Sequence, residues 1–166
     1  MLARAHRRVA DHEHWLDELN VFPIADADSG RNMTATLAAV REAAETAVGS
    51  EAGRPALRVV VEAAERAAIR AARGNSGVIL AEWLRGVLSS LPGPFDRALG
   101  AASAAARSAM AEPVEGTMIP GGGDAAAGAH GPDVLQVVVS ARAAAVGAGA
   151  RPPRMLPVLA RLGVVD

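Results

Sequence analysis

Residues 76–91 read Ser-Gly-Val-Ile-Leu-Ala-Glu-Trp-Leu-Arg-Gly-Val-Leu-Ser-Ser-Leu. Leu80, Trp83, Leu84, Val87, Leu88 and Leu91 recur at steps of three and four, the spacing of one helix face. The pattern predicts a helix over 76–90, stopped by the Leu-Pro-Gly-Pro that follows. On the N-terminal side, Leu57, Val60, Val61, Ala64, Ala67 and Ala68 repeat the spacing, predicting a helix over 56–72. Met33, Leu37, Val40 and Ala44 predict another over 31–47, and Leu2, Val9, Leu16 and Leu19 one over 2–19. Toward the C-terminus an alanine-rich helix is expected over 95–111, another over 133–147, and a short one over 154–162.

Between them, residues 120–132, Pro-Gly-Gly-Gly-Asp-Ala-Ala-Ala-Gly-Ala-His-Gly-Pro, read as a flexible linker. Glycine costs about 1 kcal/mol per helical position relative to alanine, and proline about 3. No β-alternation is found. The expected architecture is all-α, an antiparallel helical barrel or bundle of about seven or eight helices.

Composition narrows the chemistry. The 166 residues contain no cysteine and no tyrosine, and all 17 basic residues are arginine. A thiol nucleophile, a disulfide framework, a Schiff-base lysine and a Walker-type phosphate loop are excluded. Aromatics make up 2%, so the core must be built from Ala, Val and Leu. A net charge of -1 gives no footprint for nucleic acid. No apolar run is long enough to span a membrane and no signal peptide is recognisable, so the cytoplasm is the expected location.

Four stretches could carry function. Asn20 to Met33, Asn-Val-Phe-Pro-Ile-Ala-Asp-Ala-Asp-Ser-Gly-Arg-Asn-Met, places Asp26 and Asp28 two apart in a loop that opens a helix. Close carboxylates repel unless a cation lies between them, and hard oxygen donors suit Mg²⁺ or Ca²⁺. Asp28 or Ser29 would serve as well simply as a helix N-cap. Ala72 to Leu80, Ala-Arg-Gly-Asn-Ser-Gly-Val-Ile-Leu, is a Gly-bearing turn into a helix. Free backbone amides and the helix dipole favour an anion there, while Ser76 as an ordinary cap is the alternative. Glu112 to Met118 is a third turn, with Thr117 at a helix start. Leu156 to Asp166 is a short helix followed by an apolar exit.

In this order the four stretches resemble the L domain of the dihydroxyacetone-kinase superfamily, most closely the ATP-binding subunit of bacterial fatty acid kinase. Members of that branch read Asn-Val-Phe-Pro-Val-Pro-Asp-Gly-Asp-Thr-Gly-Thr-Asn-Met, then Ala-Arg-Gly-Asn-Ser-Gly-Val-Ile-Leu, then Pro-Val-Glu-Gly-Thr, then Leu-Pro-Val-Leu before Gly-Val-Val-Asp-Ala-Gly-Gly. The resemblance spans residues 15–166 and is poorest over 119–150.

It implies an all-helical barrel with nucleotide at one rim. It implies Mg²⁺ held by Asp26 and Asp28, with Asn20 near a third metal-site position. Asn32, Met33, Gly74, Asn75, Ser76, Gly77, Thr117 and Asp166 fall where the family contacts ATP or ADP. The implied reaction is γ-phosphoryl transfer to a fatty acid carboxylate presented by an acyl-binding partner protein. A homodimer is the other association to consider. Two alternatives are a nucleotide-binding paralogue or fragment without turnover, and the L subunit of a dihydroxyacetone kinase.

The sequence also departs from the pattern. Ala25 and Ala27 replace Pro and Gly, Ser29 replaces Thr, and Arg31 replaces a small polar residue at the mouth of the site. Pro120 and three glycines interrupt the helix expected after Thr117. The chain reads as a single domain over 1–166 that stops at Asp166, before the Ala-Gly-Gly expected to close over nucleotide.

Overall fold

The computed structural model describes residues 1–20, 25–50, 55–110, 118–131 and 133–149. Among these are eight helices: α1 Leu2–Ala10, α2 Glu13–Glu18, α3 Ser29–Gly49, α4 Leu57–Ala71, α5 Gly74–Ser89, α6 Phe95–Ser108, α7 Met118–Ala127 and α8 Val134–Gly149. No strand occurs among the described residues. The all-α expectation holds, and each long helix lies within a few residues of its predicted bounds. The short helix expected over 154–162 lies outside the described residues.

The periodic residues do what their spacing demands. Leu37, Val40 and Ala44 of α3 meet Ala64 and Ala68 of α4 and Ala81, Leu84 and Leu88 of α5, with Leu2 and Val9 of α1 packed against them. Small side chains bring these helices close. A Cβ on Gly86 of α5 would stand 2.5 Å from Cα of Ala102 on α6, a contact only glycine allows. Leu99 of α6 joins Val137 and Ala141 of α8 in a second cluster, with Trp83 packed against it.

Two expectations are corrected. The helix predicted over 2–19 is two helices. His12 adopts φ -117° and ψ 9°, which ends α1, and its Nδ1 contacts the Arg8 carbonyl at 2.9 Å. A carbonyl only accepts, so the ring nitrogen carries the proton and caps the helix end. The turn redirects α2 across the start of α3.

The second correction concerns the linker. Residues 118–127 are helical despite Pro120 and the three glycines. Pro120 is the third residue of α7, within the first turn, where its missing N–H breaks no helical bond. The glycines let neighbours approach. A Cβ on Gly122 would lie 3.5 Å from Nε1 of Trp83, and one on Gly123 3.5 Å from Oγ of Ser103. Just past the helix, a Cβ on Gly128 would run into Ala144 of α8. Tertiary packing outweighs the weak intrinsic preference of the segment.

Candidate functional site

The Asp26–Asp28 loop leads into α3, and the Arg73–Gly74 turn leads into α5. The core packs these helices side by side, so the two turns meet. A Cβ on Gly74 would lie 2.6 Å from Nδ2 of Asn32 and 3.8 Å from Oδ1 of Asp28. Gly74 has φ +58°, a left-handed conformation that costs other L-residues about 1–2 kcal/mol. One turn along, a Cβ on Gly77 would be 3.3 Å from Oγ1 of Thr36. Thr36 is fully buried, and its hydroxyl donates to the Asn32 carbonyl at 2.8 Å.

Nδ2 of Asn32 is buried and has no hydrogen-bond partner among the described residues. Thr34 and Arg41, further along α3, carry the other such atoms. An unmade bond at a buried amide costs about 1–3 kcal/mol.

The two helix starts differ in what they leave open. Asp28 occupies the N-cap position of α3, but its side chain makes no cap bond. Asp17 of α2 does that work. Its Oδ1 accepts from the Gly30 N–H at 2.7 Å and from the Arg31 N–H at 3.2 Å. The Asp28 carboxylate is thereby left for other partners. At α5 the N-cap is Arg73, again with no side-chain cap bond. Its guanidinium folds back instead, donating to the Arg70 and Ala72 carbonyls at the end of α4. The first-turn amides of α5 and its positive dipole end suit an anion. Ser76, expected as a possible N-cap, lies inside the first turn of α5 and is buried.

The carboxylates are accessible. Asp26 is exposed and Asp28 half-buried, and neither pairs with a cationic side chain among the described residues. Asn20 donates from Nδ2 to Oδ1 of Asp26 at 2.5 Å, which ties α2 to the loop. Ala27, between the two acids, has φ +51°. No group of three or more His, Cys, Asp or Glu gathers as a metal cage among the described residues. Two unneutralised carboxylates do fit Mg²⁺, which keeps several waters and takes one or two protein carboxylates plus phosphate oxygens.

The structure therefore gathers Asp28, Asn32 and Gly74 at one point, with Ser76 and Gly77 in the same turn of α5 and Asn20 with Asp26 at its edge. Met33 is half-buried on α3 and Asn75 exposed on α5; no hydrogen bond ties either to the cluster. Thr117 and Asp166 lie outside the described residues. Asp17 was not foreseen. It lies 13 residues before Gly30, so no local spacing marks it. Arg31 was noticed only as a departure from the family pattern.

A family model, the DAK2 domain, matches residues 23–166. Among curated relatives, Uncharacterized protein SSP1546 of Staphylococcus saprophyticus is 31% identical over the whole of this chain. Protein YloV of Bacillus subtilis is 30% identical, also over the whole chain. In both cases the chain spans 31% of the relative's length.

Proposed function

The chain belongs to the DAK2 domain family, and from that premise we propose that it is the ATP-binding part of a kinase acting on a fatty acid carboxylate held by a separate acyl-binding protein. The observation that carries this reading is the meeting of Asp28, Asn32 and Gly74, with an unpartnered buried amide at the junction. Among the described residues no helix is long and apolar enough to cross a membrane.

Each residue has a role in this proposal. Gly74 lets the turn into α5 approach Asn32 closely. Asn32 donates its free amide hydrogen to a phosphate oxygen. The α5 amides and dipole hold negative charge without a lysine. Asp26 and Asp28 are the residues that would hold Mg²⁺, and the ion would supply neutralisation of phosphate charge. An oxygen of the acyl carboxylate attacks the γ-phosphorus as the bond to the bridging oxygen of ADP breaks. The products are an acyl phosphate and ADP, and no proton changes hands.

The test is a titration with Mg·ATP followed by addition of an acyl-binding protein loaded with fatty acid. Binding, then ATP consumption abolished by Asp26→Ala, is the expected result. No binding at millimolar nucleotide with the fold intact would sink the reading. A second reading, nucleotide binding without turnover, predicts binding with no ATP consumption. Dihydroxyacetone in place of a fatty acid ranks third, because the Asn-Val-Phe-Pro and Arg-Gly-Asn-Ser-Gly wording is that of the fatty acid branch.

A further inference from the structure

Arg31 stands at the mouth of the site, where a positive charge opposes a bound cation. Its contacts give it a different use. Nη2 of Arg31 donates to the Ala27 carbonyl at 2.6 Å. Nε of the same guanidinium faces Oδ2 of Asp17 at 3.2 Å. Arg31 is 61% exposed, but Asp17 is only 14% exposed, and its other oxygen caps the Gly30 and Arg31 amides. Asp17 is itself fixed. Gly30 is buried and so close to the Glu13 carbonyl of α2 that a Cβ there would collide with it. An unbroken chain of contacts thus runs from α2 through Asp17 and Arg31 to the one residue between the two acids. That residue, Ala27, is in the left-handed region without being glycine. Such a conformation persists where its surroundings impose it.

We propose that Arg31 and Asp17 are positioning residues that clamp the Asp26–Ala27–Asp28 turn so that both carboxylates face one divalent cation. The inference rests on the metal–nucleotide reading above. A planar guanidinium serves because it donates in two fixed directions at once, to a carboxylate and to a carbonyl; an ammonium carries the same charge without that fork. Glycine between the acids would take up the left-handed conformation freely. The alanine here needs the clamp.

The sign of the effect separates positioning from charge. If Arg31 acted only through its charge, Arg31→Ala would tighten divalent cation binding. The clamp requires it to weaken. The experiment titrates MnCl₂ in the presence of a non-hydrolysable ATP analogue, reading free Mn²⁺ by electron paramagnetic resonance, on the wild type, Arg31→Ala, Arg31→Lys and Asp26→Ala. The expected result is Mn²⁺ affinity about tenfold weaker in Arg31→Ala, little rescue by Arg31→Lys, and unchanged helix content. Unchanged or tighter Mn²⁺ binding in Arg31→Ala overturns the proposal.

A second measurement needs no metal. The carbon chemical shifts of Ala27 in the ligand-free protein report its backbone conformation, and Arg31→Ala moves them toward random-coil values if the clamp operates. Shifts that stay at the wild-type values overturn it. If the wild type and Asp26→Ala both fail to retain Mn²⁺, the metal reading falls and the role in metal binding falls with it. The Ala27 shifts then decide whether the clamp itself exists.

Discussion

A Cβ placed on Gly74 would lie 2.6 Å from Nδ2 of Asn32, so the turn before α5 and the first turn of α3 fit together only because one of them has no side chain. The amide of Asn32 fills the place that a side chain at 74 would take, and both features belong to one contact between neighbouring helices.

Gly74→Ala is therefore expected to damage both folding and binding. The left-handed backbone costs about 1–2 kcal/mol with alanine, and the methyl group displaces Asn32. Chemical denaturation should show a loss of that size, while ATP affinity falls by about tenfold or more, the equivalent of about 1.4 kcal/mol. Nucleotide affinity equal to wild type would show that the junction is not the phosphate site.

The acids should behave differently. Asp26 is exposed and, apart from its bond to Asn20, holds nothing in place. Asp26→Ala should change stability by no more than about 0.5 kcal/mol. The stabilisation conferred by Mg·ATP, about 2.7 kcal/mol at a hundredfold excess over Kd, should disappear in the variant. EDTA should remove it equally from the wild type. Thermal melts with and without nucleotide make both comparisons.

Two glycines in neighbouring helices should respond with opposite signs. Gly86→Ala drives a methyl into the Ala102 backbone, 2.5 Å away, and overpacking of this kind costs about 1–3 kcal/mol. Gly100, in the interior of α6, has nothing within 4 Å of a built Cβ. Gly100→Ala should stabilise by about 0.4–1 kcal/mol through the entropy of the unfolded chain. Urea melts of the two variants give the comparison.

The helix built on Pro120 and its glycines can be tested through Trp83. A Cβ on Gly122 would already touch the indole, at 3.5 Å from Nε1, so a longer side chain cannot be seated. Gly122→Leu should lift α7 from α5, expose Trp83 and shift its emission to longer wavelength. Trp15 is half-exposed and supplies a constant background; a spectrum identical to wild type would show that α7 does not rest on Trp83.

The all-helical class and most helix bounds were legible because apolar side chains at steps of three and four, as in 76–91, can be buried by one helix face only. The Gly-Asn-Ser-Gly turn and the Asp-Ala-Asp pair stood out as local motifs, and the structure adds that Asp28, Asn32 and Gly74 meet. The break at His12 was not legible, because one ring nitrogen caps a helix whose apolar spacing continues across the turn. Helix α7 was not either. Its propensities oppose it, and Ala125 and Ala126 pack into a cluster with Leu99, Val137 and Ala141, which are remote from them in sequence or on another helix.

Sequence alone determined the alphabet of the site: carboxylates, amides and glycines, with no lysine or thiol to do the work another way. It also determined which segments coil into helices, because periodicity is a local property. Only the tertiary structure decided that Asn32 is left without a partner, that Asp17 rather than Asp28 caps α3, and that Arg31 reaches back to the Ala27 carbonyl. Each of these depends on where α2 and α5 lie against α3. That placement depends on close approaches at three glycines, Gly30 to the Glu13 backbone and Gly74 and Gly77 to the side chains of Asn32 and Thr36, and residue spacing along one chain does not encode the distance between two helices.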